Sequence, residues 1–136
     1  LIGRMPIDLI LLAGRYTLLD RSATARLFPM AEKHGIRFVI GGVFNSGILA
    51  TGPVEGAHYN YAPASQDILD HTARLAAICA RHDTSLAAAA LQFPDRHPLV
   101  ASTLIGTGKV SSLTRNVQQF GAALPEALWS ELEGAA

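Results

Sequence analysis

Charge is scarce in this 136-residue chain: Asp, Glu, Lys and Arg make up only 16% of it, where soluble domains usually carry roughly a quarter. With hydrophobic residues at 49%, that shortage indicates that part of the surface is not meant to face water. An excess of charge of one sign is also missing, since eleven basic residues balance eleven acidic ones. The balance removes the electrostatic footprint expected of a nucleic-acid partner or an anionic membrane surface. Cysteine is almost absent. Cys79 alone cannot form an intrachain disulfide, and with no secretory segment visible the expected compartment is reducing cytoplasm. Charge or proline interrupts every apolar stretch before the ~20 residues needed to span a bilayer, so a soluble protein is expected. The opening "LIGRMPIDLILL" has no initiator methionine and enters an apolar run almost at once, which suggests a fragment or an unrecorded first part.

What is present is an alternation of short apolar runs and helical patterns. "IDLILL", residues 7–12, reads as a strand buried on both faces. A helix is expected from Ser22, as N-cap, to His34, with Gly35 as its stop. "IRFVIGG" is a second strand. Residues 44–65 carry glycines, Pro53 and Pro63 with no clear period, and read as one long loop of the lid or binding kind. Helical patterns follow in "QDILDHTARLAAICARH" and "SLAAAALQF", the second capped by Ser85. "LVASTLI" is a third strand, and helices near 111–120 and 126–133 close the chain. Repeated strand–helix units of this length predict an α/β fold with a parallel sheet and helical crossovers. Three such units cannot close a barrel by themselves. The expected architecture is therefore a single partial domain over residues 1–136, the C-terminal three βα units of a (β/α)8 TIM barrel. A small free-standing three-layer α/β domain is the alternative.

The stretch that carries chemistry is "STLIGTGKVSSLTRN", residues 102–116, where glycines, a threonine and a lysine separate a strand from a helix. It is not a P-loop: Thr103 stands where the first glycine belongs, and Val110 follows the lysine in place of Ser or Thr. An open-sheet dinucleotide fingerprint also fits poorly. Ser111 replaces the third glycine, and Glu126 lies behind Pro125 at a helix start and not at a strand end. Two readings remain open on spacing alone. One is a phosphate seat made of helix N-terminal N–H groups with Thr107 and Lys109, of the kind found after strands 7 and 8 of such barrels. The other is a plain left-handed turn from strand to helix.

Other constellations fall away. "GGVFNSG" is no nucleophile elbow, because Phe44 and Ile48 occupy its glycine positions around Ser46. His71 and His82 are roughly 16 Å apart along a helix, too far to share a metal ion, and Cys79 between them reads as core. No complete catalytic constellation is visible in the sequence, and no metal site.

Taken together, "DLILLAGRYTLLDR", "GIRFVIGGVFNSGILATG" and "STLIGTGKVSSLTRNV" resemble, in order, the C-terminal part of the aldo-keto reductases. The nearest resemblance is to the sugar-oxidising subgroup that contains D-threo-aldose 1-dehydrogenase, L-fucose dehydrogenase and pyridoxal 4-dehydrogenase. The resemblance implies an NAD- or NADP-dependent oxidoreductase that moves hydride between a nicotinamide and a small sugar or carbonyl substrate. It also implies that the catalytic tyrosine and its lysine, aspartate and histidine partners lie in earlier barrel units. This chain would then lack all four, be inactive alone, and require the missing N-terminal barrel half as its partner.

Cofactor binding is what the resemblance implies for the residues present. Gly106, Thr107, Gly108 and Lys109 match the segment that holds the adenosine phosphate. Ser112, Arg115 and Asn116 match residues facing the adenosine end, and Phe44, Asn45 and Ser46 match the loop that crosses the pyrophosphate. Gly14, with Arg15 and Tyr16, is expected at the floor of the nicotinamide site. Two departures stand out. Ser112 replaces an arginine that clamps a 2′-phosphate, which favours acceptance of NAD, and Gly41 occupies the place of a tyrosine that stacks on the nicotinamide.

Overall fold

The computed structural model describes residues 2–136. Three parallel strands form its centre: β1 (Leu9–Ala13), β2 (Arg37–Gly41) and β5 (Val100–Thr103), in the spatial order β1-β2-β5. All three arise from the short, β-branched and leucine-rich runs, whose alternate side chains take opposite faces. Leu11 pairs with Val39 and Leu12 with Ile40, and β5 joins β2 with a bulge between Phe38 and Val39. An α/β fold with parallel pairing is thus as the alternation predicted.

The two faces of this sheet differ. Phe38, Ile40 and Val100 are buried against helices α1 (Leu27–Lys33), α3 (Gln66–Arg81), α4 (Leu86–Gln92) and α6 (Glu126–Gly134), whose Ala31, Leu75, Ala89 and Leu128 belong to the same core. On the other face Leu9 and Leu11 remain 55% and 63% exposed, and Leu104 just beyond β5 is exposed as well. The low charge content has its physical counterpart in this uncovered apolar face.

Serine caps set the helix starts where side chains are free to make them. Ser65 accepts from the Ile68 N–H and Ser85 from the Ala88 N–H. Ser22 does not cap, contrary to expectation. Its hydroxyl and N–H both donate to the Asp20 carboxylate, the chain makes a 3-10 turn over Ser22–Thr24, and α1 begins only at Leu27.

The segment expected to be an unstructured loop is also more organised than its composition suggests. It holds a one-turn helix, α2 (Ile48–Thr51), and a hairpin of β3 (His58–Tyr59) with β4 (Ala62–Pro63). Helix α5 (Val110–Phe120) has no fully buried residue and rests on α4, where Gln92 donates to the carbonyls of Gln119 and Ala122 at 2.8 Å each.

Candidate functional site

The loops leaving the carboxyl ends of β1, β2 and β5 meet at one end of the sheet. Gly14 and Gly42 have φ of +67° and +62°, and a Cβ on Gly42 would stand 2.9 Å from the Gly14 nitrogen. The close approach of these two backbones lets the first two loops cross.

A buried clamp fixes that crossing. Thr17 donates its hydroxyl to Asn45 Oδ1 at 2.5 Å and accepts the N–H groups of Leu19 and Asp20, so the hydroxyl is fully used. The Asn45 amide donates in turn to the Gly14 carbonyl at 3.4 Å. Asn45, Ser46 and Gly47 all take left-handed backbone, with φ of 47°, 64° and 102°. A run of this kind persists only where surrounding contacts over-determine it, and the Thr17–Asn45–Gly14 clamp does so. Asn45 therefore acts on the loop through its side chain, while the Ser46 hydroxyl points to the hairpin and accepts the Tyr61 N–H at 3.0 Å.

Arg15 and Asp20 extend the clamp outward. Arg15 pairs with Asp20 at 3.2 Å and donates to Asn60 Oδ1 at 3.3 Å. Burial pushes the Asp20 carboxyl upward, but the Ser22 hydroxyl and N–H and the Arg15 guanidinium outweigh it and hold the group below its ordinary range.

The third loop settles one of the two readings left open by spacing. Neither Gly106 nor Gly108 has positive φ, so this is not a left-handed turn. A Cβ at either would meet nothing within 4 Å, and what the glycines leave is open space beside the backbone. Thr107 accepts the Lys109 N–H at 3.2 Å, and α5 starts with no side chain capping its first turn. Lys109 and Arg115 have no ion-pair partner among the described residues.

Three hollows follow one another along this end. The first, of about 100 Å³, lies between the β1 and β2 loops and includes Gly14, Asn45 and Ser46. A second of about 150 Å³ shares Gly42, Asn45 and Ser46 with it and reaches Phe44, Ile105 and Gly106. The third, about 200 Å³ and mainly apolar, shares Ile105 and is lined by Leu91, Thr103, Asn116, Val117 and Phe120. Thr103, one of the residues of that hollow's wall, has its hydroxyl buried without a partner. Wider, open hollows of about 480 Å³ occur at the opposite end of the sheet near Arg4 and His34, and beside Ser85.

The string of hollows brings together Gly14, Phe44, Asn45, Ser46, Gly106 and Asn116, which the sequence spreads over about a hundred positions. Thr107, Gly108 and Lys109 form the link into α5, and Ser112 stands one turn before Asn116. Tyr16 is elsewhere. Its ring is buried in the core, 4.8 Å from Phe28 and 4.9 Å from Phe93, so its expected place at the site floor is corrected. The histidines of α3 turn to the C-terminal helix, His71 to the Ala135 carbonyl and His82 to Glu131, and burial pushes the Cys79 thiol up to about 11. Sequence reasoning missed Thr17, because it sits in no spaced motif.

Residues 4–136 match the family model described as the aldo/keto reductase family. The chain belongs to the aldo-keto reductases. It is 44% identical over 126 residues to pyridoxal 4-dehydrogenase of Microbacterium luteolum, covering 93% of this chain and 37% of that protein. D-threo-aldose 1-dehydrogenase of a Pseudomonas species is 39% identical over 127 residues, covering 93% of this chain and 39% of its own length. The chain thus spans about two-fifths of these relatives, both oxidoreductases by name. An aldo-keto reductase of Bacillus halodurans superposes in its holo form with a TM-score of 0.77 at 27% identity, over 99% of this chain and 44% of that structure. Its apo form gives the same TM-score at 26% identity. Among the described residues, no helix is long and apolar enough to cross a membrane.

Proposed function

We propose that this chain forms the last three βα units of an aldo-keto reductase barrel and supplies the groove for an NAD or NADP cofactor of an aldose dehydrogenase. The observation that carries the reading is the string of three hollows, with a cradle free of side chains at Gly106 and Gly108 in the loop that links the second hollow to α5. A dinucleotide is long, anionic in the middle and flat at both ends, and the groove answers each property in turn.

Thr107, Lys109 and the uncapped first turn of α5 hold a phosphate through N–H groups, a hydroxyl and an unpaired cation. Phe44, Asn45 and Ser46 form the wall along the pyrophosphate, with the strained turn kept in place by Thr17. Asn116 offers an amide to an adenine edge, and Thr103, whose hydroxyl is unpaired, belongs to the wall of the same apolar hollow. When bound, the nicotinamide exchanges hydride with a carbonyl or alcohol carbon of a sugar or similar small substrate. The present residues bind and orient the cofactor. The proton-transferring tyrosine and its lysine, aspartate and histidine partners belong to barrel units outside these 136 residues, and the chain alone is inactive.

Ser112 argues for NAD, because it offers no bidentate cation for a 2′-phosphate. The test is titration of the intact protein with NADH and NADPH. NADH should bind as tightly or more tightly, and Ser112→Arg should shift the preference toward NADPH by about tenfold, the effect of one charge-assisted pair. An intact protein with no nicotinamide-dependent turnover of any aldose, lactol or aldehyde would overturn the enzymatic reading.

The uncovered sheet face and the open edge at β1 favour one further reading, a non-enzymatic nucleotide- or partner-binding half-barrel that uses its exposed sheet edges to associate. Such a protein would unfold cooperatively and run as a single species on its own.

A further inference from the structure

The turn between β3 and β4 is a costly place for a tyrosine. Pairing His58 with Pro63 and Tyr59 with Ala62 leaves Asn60 and Tyr61 as a two-residue turn, and both are left-handed, at φ of 52° and 64°. Turns of this hand favour Asn followed by Gly, since a side chain in the second position crowds the backbone at a cost of roughly 1–2 kcal/mol. The tyrosine ring does not offset that cost by packing. It is 93% exposed, whereas Tyr59 beside it is half-buried.

The turn is nevertheless held in one place. Ser46 accepts the Tyr61 N–H, Arg15 donates to Asn60, and Asp20 holds Arg15. These three anchors set the turn at the rim of the hollow of about 100 Å³ that also contains Gly14 and Asn45. That hollow opens at Gly42, Asn45 and Ser46 into the one read above as the pyrophosphate wall. It is therefore the end of the cofactor groove away from Asn116, where the reactive end of the dinucleotide and a substrate would meet. Its rim is mixed: a guanidinium and a carboxamide at Arg15 and Asn60, and an exposed aromatic ring at Tyr61.

We infer that Tyr61 is a substrate-specificity residue, its ring forming the stacking face for a six-membered hydroxylated ring whose hydroxyls meet Arg15 and Asn60. A cyclic sugar has this dual character, with a C–H face that lies on an aromatic ring and a rim of hydroxyls that takes donors and acceptors. The inference rests on the sugar-dehydrogenase reading and names the residue that selects cyclic substrates within it. The left-handed strain is then retained because the turn, and no neighbouring position, places a ring over the hollow.

The experiment compares the intact protein carrying this chain with its Tyr61→Gly and Tyr61→Phe variants. The probes are L-fucose as a cyclic sugar and glyceraldehyde as an acyclic one, with NADH affinity and the unfolding midpoint measured in parallel. Tyr61→Gly should raise KM for L-fucose about tenfold with kcat within twofold, the upper range for one aromatic contact. It should leave KM for glyceraldehyde and the NADH affinity unchanged, and its unfolding midpoint should hold or rise because the strain is relieved. Tyr61→Phe keeps the stacking face and should behave as the parent. An unchanged L-fucose KM, an equal rise for both substrates, or a weakened NADH affinity would overturn the assignment, the last by placing the ring over the cofactor. A parent protein that turns over neither probe defeats the dehydrogenase reading first, before any variant is compared.

Discussion

Gly42 has no room for a side chain and no conformation for one. Its φ of +62° costs an L-residue roughly 1–2 kcal/mol, and an added Cβ would stand 2.9 Å from a backbone nitrogen that cannot swing aside. Gly42→Ala should therefore destabilise the protein by on the order of 2–3 kcal/mol in urea unfolding. Gly47→Ala is the informative control, since its φ is also positive but nothing lies within 4 Å; it should lose only the conformational part. His97 offers a second test at this scale. Burial, against a weaker opposing pull from Glu32, holds its imidazole below the ordinary value, and its Nδ1 accepts the Leu99 N–H at 3.1 Å. The unfolded chain then takes up the proton first. The stability contributed is complete above about pH 6.5 and declines as pH falls from there through the folded pKa. Stability measured between pH 7 and 5 should fall on acidification, and His97→Asn, which keeps an acceptor but cannot protonate, should flatten that part of the profile.

At the scale of elements, α5 carries Ser112 and Asn116, and its first turn is the proposed phosphate seat, yet it has no fully buried side chain to hold it. Its C-terminal end is tied to α4 by Gln92, whose amide bonds the carbonyls of Gln119 and Ala122. Gln92→Leu keeps the bulk and removes both bonds. It should cost about 1–3 kcal/mol of stability, speed amide exchange in the last turn of α5 ahead of α3, and, if α5 holds the cofactor as proposed, weaken nicotinamide binding without altering a proposed cofactor residue. Elements of this kind differ in how plainly the sequence displays them. β1, β2, β5 and the Ser65- and Ser85-capped helices were legible because continuous apolar runs and a local cap are short-range signals. The start of α1 was not, since Asp20 takes the Ser22 side chain that would have capped it. The hairpin was hidden for another reason. Strands of two residues have no period to detect, and Asn-Tyr lacks the glycine that marks such a turn. Within the site, the glycine-rich stretch announced its backbone role, but the Thr17–Asn45 bond joins positions 28 apart that only the folded loops bring together.

For the molecule as a whole, the decisive asymmetry is a sheet with helices on one face and leucines bare on the other. Covering Leu9 and Leu11 would stabilise by about 1–2 kcal/mol each, given that more than half of each side chain is exposed. β1 also presents an unpaired strand edge, and edge and face together invite association. Produced as these 136 residues alone, the chain should bind anilinonaphthalene sulfonate strongly, elute above its 14.4 kDa mass and melt over a broad range. Joined to the barrel units that its longer relatives possess, the same residues should lose dye binding and melt sharply, because the open face becomes interior. The two preparations discriminate between the readings of the fold. A 14.4 kDa chain that forms one discrete oligomer, dye-silent and cooperative in unfolding, would mean the exposed leucines are covered by association, and the association module would displace the barrel segment as the better account.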